Sequence, residues 1–134
     1  MSLSNLMLRL KSGLFQVSST AYLIFALTWT LLVLYFSLMS ARSIASLHLW
    51  SFPGLDKVAH AVFYFLFGFL WSMSISRNKD RTLWILITAI GFGVLMEAGQ
   101  YRLMNGRSSE LPDILANTIG AFSGVFIFKW LNRL

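Results

Sequence analysis

Four stretches of this chain are too long and too poor in charge to belong to a water-soluble domain. The first, Thr20 to Met39, carries no charge. The second, Val58 to Ile75, contains His60 and no acidic or basic residue besides it. The third, Leu83 to Tyr101, is uncharged except for Glu97. The fourth runs from about Pro112 to Trp130, with Asp113 near its start and Lys129 near its end. A helix needs about 20 apolar residues to cross the hydrocarbon of a bilayer. Lipid offers the backbone no hydrogen-bond partner, so a spanning segment must close its bonds internally, as a helix does. A barrel would require short alternating strands, and the sequence shows no such pattern. The expected fold is therefore all-α, an integral membrane bundle of four transmembrane helices.

Composition agrees. Of 134 residues, 57% are hydrophobic, 16% aromatic and only 12% charged, against roughly 25% charged in a soluble domain. The length allows one domain. The chain has no cysteine, which excludes disulfides, thiolate catalysis, iron–sulfur clusters and cysteine-bound zinc. The net charge of +6 does not point to nucleic acid, because the basic residues are scattered between apolar runs rather than gathered in a stripe. Membrane lipids are the expected contacts.

Those basic residues orient the spans. Arg9 and Lys11 precede the first; Arg77, Lys79 and Arg81 lie between the second and third; Lys129 and Arg133 close the chain. Arg42, Lys57, Arg102 and Arg107 fall on the opposite side. The positive-inside rule then puts both termini and the loop Ser76–Thr82 in the cytoplasm, an N-in/C-in topology. The loops Ser40–Leu55 and Arg102–Leu111 face outward. Trp84 and Trp130 would lie at the inner interface, Trp50 and Tyr101 at the outer one. The first apolar run exceeds the 7–15 residues of a signal peptide, so it reads as a retained helix. Residues 1–19 read as a cytoplasmic amphipathic segment on the membrane surface, and residues 20–134 as the four-helix domain. No internal repeat is evident.

Charges inside a span are costly and usually mark function. Here the polar residues are not scattered. Asp56, Lys57 and His60 open the second span, Glu97 and Gln100 close the third, Arg107 and Glu110 follow it, and Asp113 and Asn117 open the fourth. In the topology above all of them gather at the outer end. Residues three or four apart share a helix face, which pairs Asp56 with His60, Glu97 with Gln100 and Asp113 with Asn117. His60, Glu97 and Asn117 lie about one turn inside the outer end, roughly 6 Å at 1.5 Å per residue. They can form one pocket. Bland readings stand beside this one. Asp56 can be an N-cap and Asp113 a favourable charge at a helix N-terminus. Lys57 can snorkel to headgroups, His60 can be a neutral hydrogen-bonding histidine, and Gln100 and Asn117 can be interhelical glue. Glu97 resists such a reading best, since a carboxylate inside an apolar span needs a partner or a proton; Arg107 and Lys57 are the cations at hand. Lower on the fourth span, Gly120-x-x-x-Gly124, extended by Ala116, is a small-residue helix-packing pattern.

The order Asp56-Lys57-x-x-His60-x-x-x-Tyr64-x-x-x-Gly68, Glu97-x-x-Gln100, Gly106-Arg107 and Asp113-x-x-x-Asn117-x-x-Gly120-x-x-x-Gly124 resembles the VanZ-like family of small bacterial membrane proteins. The resemblance covers roughly Ala21 to Phe128; Met104-Asn105 stands where relatives often carry a proline. It implies a multi-pass protein of the bacterial cytoplasmic membrane with a link to the envelope, since the founding member is associated with low-level teicoplanin resistance.

Three functions compete. The first is an envelope factor that binds or modifies a lipid-linked cell-wall or surface component. Glu97 would be its base, His60 the partner of that base and Asp113 a third catalytic group. Asp56, Lys57, Gln100, Arg107 and Asn117 would bind the ligand, with Lys57 and Arg107 suited to phosphate. The second is a metal-dependent hydrolase or transferase using Asp56, His60, Glu97 and Asp113; no HExxH or equivalent motif supports it, and no metal or other cofactor is expected. The third is a non-enzymatic adaptor whose polar cluster is structural and whose glycine faces pack against a membrane partner or a second copy of the chain. A transporter would need internal repeats or oligomerisation.

Overall fold

The computed structural model describes residues 3–39, 54–77, 80–102 and 111–133. These form five helices: α1 (Leu3–Gln16), α2 (Ser19–Leu38), α3 (Leu55–Ile75), α4 (Thr82–Arg102) and α5 (Leu111–Arg133). The last four are long and apolar enough to cross a membrane. The chain is a multi-pass, all-helical membrane protein. Helices α3, α4 and α5 run a few residues past the purely apolar stretches, so Asp56, Lys57, Arg102 and Arg133 are helical. A helix does not stop where its side chains become polar. It stops where its backbone is capped. At α3 the cap is Gly54, whose φ of 82° lies in the left-handed region and which makes no side-chain cap bond. Asp56 is therefore not the N-cap; it sits in the first turn, where the exposed N–H groups favour its charge.

The surface is that of a protein solvated by lipid. On α2, Ile24, Phe25, Leu31 and Tyr35 are exposed while only Tyr22, Ala26 and Val33 are buried. A helix that is apolar all round satisfies lipid on one side and neighbours on the other.

Helix α3 lies at the centre and packs most extensively against α5, with α2 and α4 flanking. The α3–α5 pair is parallel, because α4 carries the chain back between them. Its closeness rests on glycine. A Cβ on Gly120 would stand 2.1 Å from the Ala61 carbonyl oxygen, and one on Gly124 would stand 2.1 Å from that of Phe65. A Cβ on Gly68 would stand 2.6 Å from the Ala121 carbonyl oxygen. The two backbones meet along adjacent turns from both sides, with no room for a methyl group. Because lipid is as apolar as leucine, such van der Waals contact is a principal source of helix association in a bilayer.

Helix α2 is attached by aromatic groups. Trp29 donates from Nε1 to the Phe63 carbonyl at 2.8 Å, and Trp71 donates from Nε1 to Thr30 Oγ1 at 3.1 Å. The rings of Trp29 and Phe36 pack on Phe63, with centroids 5.5 and 5.8 Å away. Tyr64, Phe67 and Phe92 stack behind them. Phe67 and Tyr64 are thus core residues, whereas Phe65 and Phe69 are half-buried.

The lower end of the bundle is closed by α1 and by the turn before α4. Phe15 stacks on Phe128, and Tyr22 donates from its hydroxyl to the Leu14 carbonyl. The Arg77 guanidinium lies 5.1 Å from the Phe15 ring centre and 4.9 Å from that of Tyr22, and donates from Nη1 to the Val17 carbonyl at 2.8 Å. Such cation–π contacts are worth about 0.5–2 kcal/mol as water is removed. Asp80 accepts from the Thr82 hydroxyl and backbone N–H and pairs with Lys129 at 3.1 Å. The Thr82 bonds first, then Lys129, hold its carboxyl down to about 2.

Replacing Gly124 with alanine is expected to force α3 and α5 apart and lower stability by about 1–3 kcal/mol or more, the usual scale of overpacking. Gly13→Ala, where a Cβ meets nothing within 4 Å, serves as the control and should leave stability unchanged or slightly raised. Thermal unfolding in detergent reads both. A Gly124→Ala protein as stable as the parent would contradict the close crossing.

Candidate functional site

The register of α3 against α5 decides which polar groups meet. Ala61 faces Gly120 and Phe65 faces Gly124. One turn above Gly120, Asn117 comes level with His60, and one turn further Asp113 comes level with Lys57. His60 Nδ1 and Asn117 Oδ1 are 3.0 Å apart. An amide oxygen only accepts, so Nδ1 carries a proton and donates. Lys57 Nζ lies 2.7 Å from Asp113 Oδ1 and also 2.7 Å from Asp56 Oδ2. The lysine thus bridges the first turns of two helices whose exposed N–H groups already favour anions.

Helix α4 runs antiparallel and delivers Glu97 to the same level. Glu97 is 1% exposed and Asp113 6%. One donor atom each from His60, Glu97 and Asp113 lie within 4.8 Å of one another. Three helices therefore bring an imidazole and two buried carboxyl groups to one point, with an ammonium group beside them. The room for this comes from Gly93, one turn from Glu97. A Cβ there would stand 3.3 Å from both Asn117 Nδ2 and Tyr64 Cε1.

The sequence-predicted residues divide accordingly. His60, Glu97, Asp113, Lys57 and Asn117 converge. Gln100 is buried but serves another purpose: its Nε2 donates to the Ser37 carbonyl at 2.8 Å and ties α4 to α2. Asp56 is half-exposed and reaches the cluster only through Lys57. Arg107 and Glu110 lie outside the described residues. Gly120 and Gly124 stand at the helix crossing beneath the cluster. Two further residues belong to it. The buried Tyr64 hydroxyl finds no hydrogen-bond partner among the described residues and lies within electrostatic reach of Glu97. Gly93 leaves the space that Tyr64 and Asn117 occupy. Tyr64 is one of the motif positions that follow His60 by one helical turn, and Gly93 precedes Glu97 by the same interval.

A groove of about 450 Å³ elsewhere on the molecule runs between α4 and α5 at the opposite end, lined by Leu83, Leu86, Phe122, Phe126, Lys129 and Trp130 among others. It shares no residue with the cluster.

Five of the positions by which the sequence resembles the VanZ-like proteins, Lys57, His60, Glu97, Asp113 and Asn117, meet in one place. The model of the VanZ/LLP1 family matches residues 12–132, nearly the whole chain. The chain belongs to the VanZ/LLP1 family. No curated protein and no solved structure matches it. The family match spans the last turn of α1 as well as all four long helices, so the aromatic closure of the lower end falls within the family's extent.

The cluster can exchange protons and hold an anion. An imidazole beside a buried carboxyl group can serve as a general acid–base pair, and the lysine, fixed by two carboxylates, can meet a phosphate oxygen as a point charge. The ion pair between Lys57 and Asp113 is expected to couple the two residues. Asp113 is nearly buried, while the Lys57 side chain keeps 30% exposure, so solvent screening weakens the pair. A double-mutant cycle with Lys57→Met and Asp113→Asn should give an interaction energy of about 0.5–2 kcal/mol, the lower part of the range for contacting residues. Strictly additive losses would remove the pair from the account.

Proposed function

We propose that this chain is a bacterial cell-envelope protein of the cytoplasmic membrane, with both termini inside. Its outer polar pocket would bind or modify a lipid-linked cell-wall or surface component. One observation carries the reading: two buried carboxyl groups, Glu97 and Asp113, meet His60 and Lys57 at one end of a largely apolar bundle. Ionisable groups are kept inside a membrane protein at a cost, and function is the usual reason. A lipid-linked substrate explains the location. Its chain remains among the exposed apolar side chains of the helices, and its phosphate or pyrophosphate meets the cluster at headgroup depth. Lys57, with Arg107 by its place in the sequence, would hold the phosphate. Glu97 would act as base with His60 as its partner, and Asp113 and Asn117 would orient Lys57 and His60. Membership of the VanZ/LLP1 family supports the membrane class, and the teicoplanin association of the founding VanZ-like protein makes glycopeptide susceptibility one useful readout.

Alanine at His60, Glu97 or Arg107 should abolish the contribution of this protein to envelope integrity and to glycopeptide tolerance, while membrane levels stay unchanged. The purified variants should bind a polyisoprenyl pyrophosphate in nanodiscs at least about tenfold more weakly, as the loss of one charged contact implies. A scan that leaves phenotype and binding intact would end this reading. Orientation is tested separately. The chain has no cysteine, so a single cysteine at Asn132 should resist an impermeant maleimide in intact cells, and one at Ser108 should react. The reverse pattern would turn the bundle over.

A further inference from the structure

We propose that His60, Glu97 and Asp113 form a binding site for one divalent transition-metal cation, zinc or manganese in kind. This deepens the reading above and rests on the same pocket. The three donors come from three different helices and lie within 4.8 Å of one another. Metal–ligand bonds to imidazole and carboxylate are about 2.0–2.2 Å, so neighbouring donors around a tetrahedral ion stand about 3.4 Å apart. The donors here lie within 4.8 Å of one another, so closing on an ion takes side-chain shifts of about 1 Å.

A second observation points the same way. Metal-binding histidines nearly always give their other ring N–H to a carbonyl, carboxylate or water, and ligating carboxylates are hydrogen-bonded in turn. His60 has that support: it donates from Nδ1 to Asn117 Oδ1, so Nε2 is the nitrogen that would ligate the ion. Asp113 Oδ1 lies 2.7 Å from Lys57 Nζ as an ion pair, yet it is buried and makes no hydrogen bond among the described residues. A histidine serving only as interhelical glue would account for the Asn117 bond. It would not account for two buried carboxyl groups converging on the same ring.

The donor set selects the class of ion. Calcium and magnesium prefer sites made of oxygen alone. One imidazole with two carboxylates suits zinc or manganese. Three protein ligands leave coordination positions open, as in metal sites that accept a water or a phosphate oxygen. The absence of an HExxH-type motif is explained by the same geometry: ligands supplied one per helix leave no local spacing to read.

The test uses the full chain in nanodiscs, stripped with a chelator and then dialysed against zinc or manganese. Elemental analysis should find about one ion per chain. His60→Ala, Glu97→Gln and Asp113→Asn should each lose it, and Lys129→Ala at the opposite end should keep it. Asn117→Ala removes no ligand and should weaken metal affinity about 10–100-fold. The unmodified protein should unfold at a higher temperature with the ion than with chelator, a readout that does not depend on any variant folding. No ion above the level of empty nanodiscs would overturn the proposal, and so would an ion retained by a protein carrying His60→Ala, Glu97→Gln and Asp113→Asn together. Loss of envelope phenotype in His60→Ala and Glu97→Gln together with a metal-free parent would overturn the metal site and leave the pocket reading standing. Metal binding with an intact phenotype in those variants would do the opposite.

Discussion

The contact between the backbones of α3 and α5 governs the rest of this molecule. Gly68, Gly120 and Gly124 let the two parallel helices approach until side chains no longer separate them. A contact of that kind has a fixed register, because carbonyl oxygens of Ala61 and Phe65 occupy the spaces where two methyl groups would be. The register then acts at a distance. One turn above Gly120 it sets Asn117 beside His60, and one turn further it sets Asp113 beside Lys57. A slip of one residue would rotate each partner by about 100° and bury the charges against lipid-facing surface.

The membrane makes that arrangement both costly and necessary. A carboxyl group within an apolar span must be hydrogen-bonded, paired or protonated. Asp113 is paired with Lys57, and His60 is fixed by Asn117, so contacts between α3 and α5 share the cost. The two ends of the bundle solve different problems. At the lower end Arg77 lies between aromatic rings and holds α1 against the helices, and Asp80 links the start of α4 to Lys129 near the end of α5. Those contacts are local, aromatic or exposed. At the other end the charged groups point inward and toward one another, which is the arrangement a binding site requires and an anchor does not.

Much of this was legible in the sequence. Long runs without charge announce membrane helices whatever their neighbours are, because the cost of an unsatisfied backbone in lipid depends only on the segment itself. The spacing of Gly120 and Gly124 marked a helix-packing face, and the gathering of Asp56, His60, Glu97, Asp113 and Asn117 at matching ends of three spans marked a polar end. Less legible was the work of single residues. Gln100 shares a face and a depth with Glu97, yet it bonds the Ser37 carbonyl of α2. Asp56 resembles an N-cap in one dimension, yet Gly54 takes that place. Tyr64 is legible as a motif position and Gly93 as a small residue, but their place against Asn117 lies in the space between helices.

The sequence by itself determined the class of fold, the number of spans and the end at which polar groups collect, because hydropathy and helical period are properties of a chain taken one segment at a time. Only the tertiary structure decided which groups touch: Lys57 with Asp113, His60 with Asn117, and His60, Glu97 and Asp113 around one point. Those pairings depend on how far α3 slides along α5 and how each helix turns about its axis. Both are set by glycine contacts between helices distant in sequence, which no single segment encodes.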